Sequence, residues 1–210
     1  MKTIGLIGGM SWQSSVEYYR IINEACNAHL GGFHSSKIMM YSVDFDPILK
    51  LQHEGDWQRL SEKMLDAARK LESAGADYLL ICANTMHKTA EYVEKNIGIP
   101  LVHIADVVGE EITSQGLKKV GLIGTTFTMQ QDFYKDRIER YGLTVLTPEL
   151  AEDQHYIYKV LTEELTFGII NHRSKAKYLE IMQKLIERGA EGIILGCTEI
   201  PLLIDRKSVV

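Results

Sequence analysis

Two short stretches of this chain carry residue types suited to proton transfer. In "YLLICANTMH", Tyr78 to His87, an apolar run ends in Cys82 and is followed by Asn84-Thr85. In "GIILGCTEI", Gly192 to Ile200, a second run ends in Cys197 and is followed by Thr198-Glu199. A thiol where a strand turns into a helix sits near free N–H groups and the positive helix end, which lower a thiol pKa. Asn84, Thr85, Thr198 and Glu199, with the N–H groups beside them, suit a carboxylate. Taken singly, each cysteine reads better as a small buried hydrophobe at a strand end. Two in matching settings point to a pair of thiols serving one substrate.

The loops "GGMSWQSS" and "GTTFTMQQ" put Ser11, Thr125 and Thr126 where hydroxyls bind an anion or cap a helix. Neither GxGxxG nor GxxxxGK[ST] occurs, so no dinucleotide or phosphate-loop ligand is expected. Cys82 and His87 stand without a CxxC or HExxH pattern, and no metal is expected. His87 opens a helix, where it orients a substrate or is a solvated or capping residue. His103, in an apolar run, and Cys26, on an apolar helix face, read as core residues.

These residues need elements to hold them. Runs rich in Ile, Val and Leu predict strands at 3–8, 37–43, 77–82, 100–104, 119–124, 143–148 and 192–197. Amphipathic patterns predict helices at 14–30, 58–74, 86–96, 106–116, 129–141, 152–167 and 175–189. In the first of these, Tyr19, Ile22, Cys26 and Leu30 share one face. Strand–helix alternation implies an α/β protein with parallel sheets.

The chain also repeats itself. "TIGLIGGMSWQSS" resembles "KVGLIGTTFTMQQ", and "AGADYLLICANT" resembles "RGAEGIILGCTE". Two α/β halves follow, with ligands expected at the strand C-termini and across a cleft between halves. The repeat bears on the thiols. Cys197 lies eight residues after Gly189, whereas eight after Gly75 is Ala83, not Cys82. Side chains alternate along a strand, so without a bulge Cys82 faces away and Ala83 takes the place that matches Cys197.

Composition sets outer bounds. The 210 residues are 45% hydrophobic and 24% charged, with 23 basic and 28 acidic side chains and a net charge of −5. With no basic run, neither nucleic acid nor an anionic membrane is an expected partner. The N-terminus makes a poor signal peptide, no apolar stretch is long enough to span a bilayer, and three cysteines form no disulfide framework. A cytoplasmic protein with free thiols is expected. After "GCTEIPLLIDRKSVV" a strand and helix matching those of the first half are expected to be missing, their start falling near Val209.

In their order and spacing, "IGLIGGMSW", "CANTMH" and "GCTEI" resemble the cofactor-independent aspartate/glutamate racemase family over essentially the whole chain. The likeness is greatest to the bacterial branch specific for L-aspartate and L-glutamate. The resemblance implies two pseudo-symmetric Rossmann-like lobes with an inter-lobe active cleft, residues 1–98 and 99–210, and a homodimer. It implies a small dicarboxylic amino acid as substrate and no pyridoxal phosphate or metal. One thiolate removes the α-proton and another thiol returns one on the opposite face. Residue by residue, Cys197 becomes the second-lobe acid/base, and Asn84, Thr85 and Thr198 hold the substrate carboxylate. Met10, Gln52 and Thr125 line the pocket. The family's first motif is an ungapped Cys-Asn-Thr, so its first base falls on Ala83, and water, Thr85 or His87 would have to act there. The carboxylate-binding Arg and Lys of many aspartate racemases are absent from "DFDPILKLQ" and "EELTFG". Racemisation of aspartate or glutamate is the leading expectation. A one-cysteine decarboxylase of the same superfamily, or a homologue that only binds, are the alternatives.

Overall fold

Ile-, Leu- and Val-rich runs that alternate with amphipathic segments cannot pair as hairpins. They form parallel strands joined by helical crossovers. A computed structural model describes residues 1–204 of the chain. The chain divides into two compact units, Met1–Ile104 and Ala105–Val210.

The first unit runs β1 (Thr3–Gly8), α1 (Trp12–Leu30), β2 (Lys37–Ser42), α2 (Phe45–Glu54), α3 (Trp57–Ser73) and β3 (Tyr78–Ile81). A 3₁₀ turn (Thr85–Thr89) and α4 (Ala90–Glu94) follow, and α5 (Ile104–Ser114) begins on its last residue. The second unit continues with β4 (Lys119–Gly124), α6 (Thr126–Gln130), α7 (Asp132–Glu139), β5 (Thr144–Leu146) and α8 (Ala151–Glu163). A 3₁₀ turn (Leu165–Phe167), α9 (His172–Glu187), β6 (Gly192–Gly196) and α10 (Ile200–Leu203) complete it. Each unit holds a parallel three-stranded sheet, ordered β2-β1-β3 in the first and β5-β4-β6 in the second. The α/β class and the repeated order of elements are thus as expected.

Helices α3 and α9 cover these sheets through one apolar stripe each. In α3, Leu60, Met64, Ala67, Ala68 and Leu71 are buried at helical spacing and pack with Ile7, Leu79 and Ile81. Burying each leucine of that stripe contributes roughly 1.5–3 kcal/mol. In α9, Tyr178, Ile181, Met182 and Leu185 do the same beneath Ile123.

The two sheets are in step. Gly5 pairs with Leu79 and Ile7 with Ile81, while Gly121 pairs with Ile193 and Ile123 with Leu195. The turns before β3 and β6 also match, with Gly75 at φ +98° and Gly189 at φ +94°. The spacing from turn to ladder is therefore equal, and no bulge intervenes. Cys82 corresponds to Gly196, and Ala83 corresponds to Cys197.

Several elements depart from expectation. The segment 100–104 is not a strand. Leu101 makes a single parallel bridge to Leu79, with Leu79 N–H donating to Pro100 O and Val102 N–H to Leu79 O. That bridge ties the segment to the first unit's sheet, so the division falls after Ile104 rather than after Gly98. Helix α2 was not expected, although Asp44 caps it by accepting from Asp46 N–H and Ile48 and Leu51 are buried one turn apart. The expected helix 129–141 is two helices, α6 and α7, because Gln131 takes an extended conformation. Cys26 is only half-buried, and Tyr19 and Leu30 beside it are exposed, so this face of α1 is not core within the chain. The expected break near Val209 lies outside the described residues.

Candidate functional site

In the second unit, β6 ends at Gly196 and delivers Cys197 to the start of a short turn. No side chain fits at Gly196 itself. A Cβ there would lie 2.8 Å from Leu122 Cδ1 and 3.0 Å from Ile123 O. Cys197 is half-buried against the apolar cluster of Ile200, Tyr178 and Met182. Its Sγ donates to Glu199 Oε2 at 2.9 Å, and Thr198 Oγ1 donates to the same oxygen at 3.0 Å. Glu199 is itself buried, so this carboxylate is aimed inward at the thiol rather than outward at solvent. Burial, then the Glu199 charge, then its hydrogen bond hold the Cys197 thiol well above the ordinary value. This reverses the sequence expectation of a lowered pKa. The helix that follows has only four residues, and desolvation with a neighbouring carboxylate outweighs its dipole. At neutral pH the raised value keeps the group as a thiol, hydrogen-bonded to the Glu199 carboxylate.

Beside it, β4 ends in Gly124 and hands over to Thr125, the N-cap of α6. Thr125 Oγ1 accepts from Thr128 N–H at 3.3 Å and lies 3.0 Å from Thr128 Oγ1. Gly124 and Gly196 are paired across the ladder, so Thr125 and Cys197 leave adjacent strand ends.

The first unit holds the corresponding strand end without a thiol. Cys82 is fully buried, and burial alone pushes its thiol up to about 12. Its N–H donates to Ile7 O at 2.9 Å, and its carbonyl accepts from Ser14 Oγ at 2.7 Å. Cys82 thus follows β3 directly, and its backbone ties that strand end to β1 and α1. Ala83 follows and packs in one apolar cluster with Met10 and Met86. Asn84 is buried with its Oδ1 unpartnered among the described residues, and Thr85 is buried beside it. Gln52 reaches this group from α2, with its Nε2 donating to Met86 Sδ at 3.0 Å. Among the expected site residues, the structure therefore groups Met10, Gln52, Ala83, Asn84 and Thr85 in the first unit. It groups Thr125, Cys197, Thr198 and Glu199 in the second.

His87 has a different place from either expectation. Its ring is buried and lies edge-on to His103, with centroids 4.5 Å apart. Ile104 N–H donates to its Nε2 at 3.3 Å, which leaves the proton on Nδ1 to bond Ala83 O at 2.9 Å. Both ring nitrogens are engaged, so His87 fixes the Ala83 backbone rather than offering a base. The only signal for this in the sequence is the four-residue spacing that lets a helical side chain reach back to a carbonyl. Among the described residues no group of three or more His, Cys, Asp and Glu could hold a metal ion, and no helix is long and apolar enough to cross a membrane.

Comparison with known proteins places this geometry in context. A family model described as Asp/Glu/Hydantoin racemase matches residues 7–208. The broad specificity amino-acid racemase RacX of Bacillus subtilis is 24% identical over 208 residues, covering 96% of this chain and 87% of that protein. The glutamate racemase of Persephonella marina is 30% identical over 146 residues, covering 67% of this chain and 53% of that one. Among solved structures, a Yersinia pestis protein assigned as an Asp/Glu racemase superposes with a TM-score of 0.92 at 46% identity, over 99% of this chain and 90% of its own. An aspartate racemase homologue from Pyrococcus horikoshii superposes with a TM-score of 0.86 at 36% identity, over 100% and 91%.

Proposed function

The chain belongs to the Asp/Glu/hydantoin racemase family, and we propose that it moves the α-proton of a free amino acid of the aspartate or glutamate type, with Cys197 as its thiol acid/base. The observation that carries this is the hydrogen bond from Cys197 Sγ to Glu199 Oε2 at 2.9 Å, at the end of a central strand. An acid/base must gain and lose a proton each turnover, and this pair supplies both the thiol and a carboxylate to take its proton. Asn84 Oδ1, buried and unpartnered, marks a polar group kept for a ligand. With Thr85, Met10 and Gln52 it makes up the substrate contacts proposed for the first unit, and Thr125 and Thr198 are those proposed for the second. Glu199, first read as a substrate contact, serves here as the partner of the thiol. The chemistry draws on no cofactor, as the resemblance implies.

In the two-thiol scheme one thiolate takes the α-proton and another thiol returns one. Ala83 stands where the first thiol would be, and a methyl group cannot transfer a proton. With both nitrogens of His87 engaged, water or Thr85 must act in its place, and turnover is slow or one-sided. To test the reading, each enantiomer of aspartate and glutamate is incubated in D₂O and α-deuteration followed by NMR. Exchange that is lost in Cys197→Ala supports it; absent exchange, or exchange indifferent to that substitution, overturns it. A homodimer is also proposed. Trp12, Val16 and Tyr19 form an exposed apolar stripe on α1 that suits a second copy, and sedimentation tests it.

One observation favours a second reaction. A thiol at Cys197 with only a methyl at the equivalent Ala83 suits protonation of a carbanion left by loss of CO₂ from a substrate with two carboxylates on one carbon. A screen of malonate-type acids for CO₂ release separates it from racemisation.

A further inference from the structure

Glu164 stands between α8 and the 3₁₀ turn Leu165–Phe167. Its backbone is held on both sides: its N–H donates to Val160 O, and its carbonyl accepts from Phe167 N–H and Ile169 N–H, each at 3.0 Å. The 3₁₀ turn packs against α10, the helix that follows directly on Cys197-Thr198-Glu199. Glu164 is thereby fixed at the margin of the Cys197 site. Its Oε2 is buried and has no hydrogen-bond partner among the described residues. Neighbouring hydroxyls do not serve it. Tyr178 O–H donates to Ile157 O at 2.9 Å, and Thr166 O–H donates to Leu161 O at 2.7 Å. Tyr178 packs in the same apolar cluster as Cys197, and its phenol is raised by burial first and then by the charges of Cys197 and Glu164.

A buried carboxylate oxygen without a donor is costly, and such atoms persist where a ligand completes them. The partner that answers both its charge and its empty acceptor is a cation bearing N–H donors. We infer that Glu164 receives an ammonium group of the amino-acid substrate beside Cys197. This rests on the amino-acid reading above and names the group that holds the nitrogen end of the substrate. The α-ammonium and a side-chain ammonium share this chemistry, and the experiment tells them apart.

Binding of L-aspartate, L-glutamate, L-lysine and malate is measured by calorimetry on the full chain and on Glu164→Gln. Malate keeps both carboxylates of aspartate but has a hydroxyl in place of the ammonium. Loss of a charge-assisted hydrogen bond weakens amino-acid binding about 10- to 100-fold, while malate binds as well as before or better. Equal weakening for aspartate and lysine assigns the α-ammonium; weakening confined to lysine assigns its side chain. Glu164→Asp, which keeps the charge, retains part of the affinity and serves if the glutamine variant does not fold. Unchanged amino-acid binding, equal loss for malate and aspartate, or a wild type that binds no amino acid would each overturn the inference. Exchange in D₂O on the same samples tests the reaction separately. Wild-type exchange with an unaltered aspartate-to-malate ratio in Glu164→Gln sinks the role of Glu164 and leaves the racemase reading standing.

Discussion

Ala83→Cys is the most informative perturbation, because the structure says both where the added thiol goes and how it differs from Cys197. Ala83 and Cys197 hold equivalent register places after β3 and β6, so the new sulfur leaves its strand end in the same sense. The backbone there is fixed by the His87 bond to Ala83 O at 2.9 Å. Ala83 is 8% exposed and packed with Met10 and Met86, so one extra heavy atom costs at most about 1–3 kcal/mol in stability. The residue two places on is Thr85, where Cys197 has Glu199. With no carboxylate two residues away, the added thiol ionises more readily than Cys197 and is better suited to be the base. A positioned acid/base contributes about 10²–10⁴-fold. Racemisation of aspartate or glutamate should rise by that factor over wild type, followed by polarimetry and by α-proton loss in D₂O from each enantiomer. In the double variant with Cys197→Ala, exchange continues but racemisation falls back. The added Cys82→Ala changes neither, since Cys82 has no exposure. A folded Ala83→Cys protein with wild-type rates, alongside a Cys197→Ala protein that is dead, would refute the equivalence of the two strand ends.

Other consequences can be checked alongside. Glu199→Gln removes the charge beside Cys197 but leaves the burial, so the thiol pKa falls. Its alkylation by iodoacetamide near pH 8 should quicken on the order of tenfold, and an unchanged rate would mean that Glu199 does not hold the thiol proton. Cys82, raised from 9.0 to about 12 by burial, favours the fold only as the neutral thiol. Its contribution is complete below about pH 9 and lost as pH rises through about 12, roughly 4 kcal/mol in all. Urea denaturation from pH 8 to 11 should therefore show wild type losing stability faster than Cys82→Ala; parallel curves would contradict this burial. His87→Phe removes both ring contacts and should lower substrate affinity more than the maximal rate, because it frees the Ala83-Asn84-Thr85 backbone rather than taking away a base.

Much of this protein is legible in its sequence because period and repetition are local properties. Unbroken Ile, Val and Leu runs fix parallel strands, and the recurrence of GLIG and of Gly-Ala before β3 and β6 fixes two matching halves. Residue counting from Gly75 and Gly189 alone sets Ala83 against Cys197, since side-chain alternation turns a one-residue difference into opposite faces. What the sequence could not supply depended on distant neighbours. The segment 100–104 looks like any strand, yet in the fold it makes only a single bridge to Leu79 and adds no strand to the first sheet. Helix α2 hides behind Pro47, which a helix tolerates in its first turn. The sign of the Cys197 pKa shift followed from tertiary packing. A strand end before a helix predicts a lowered value, but burial and the inward carboxylate of Glu199 reverse it, because desolvation and a contact charge outweigh the partial charge of a four-residue helix. Likewise, only the fold brings Ile104 N–H to His87 and leaves Glu164 Oε2 without a partner, and those placements decide which groups can move a proton and which can hold a substrate.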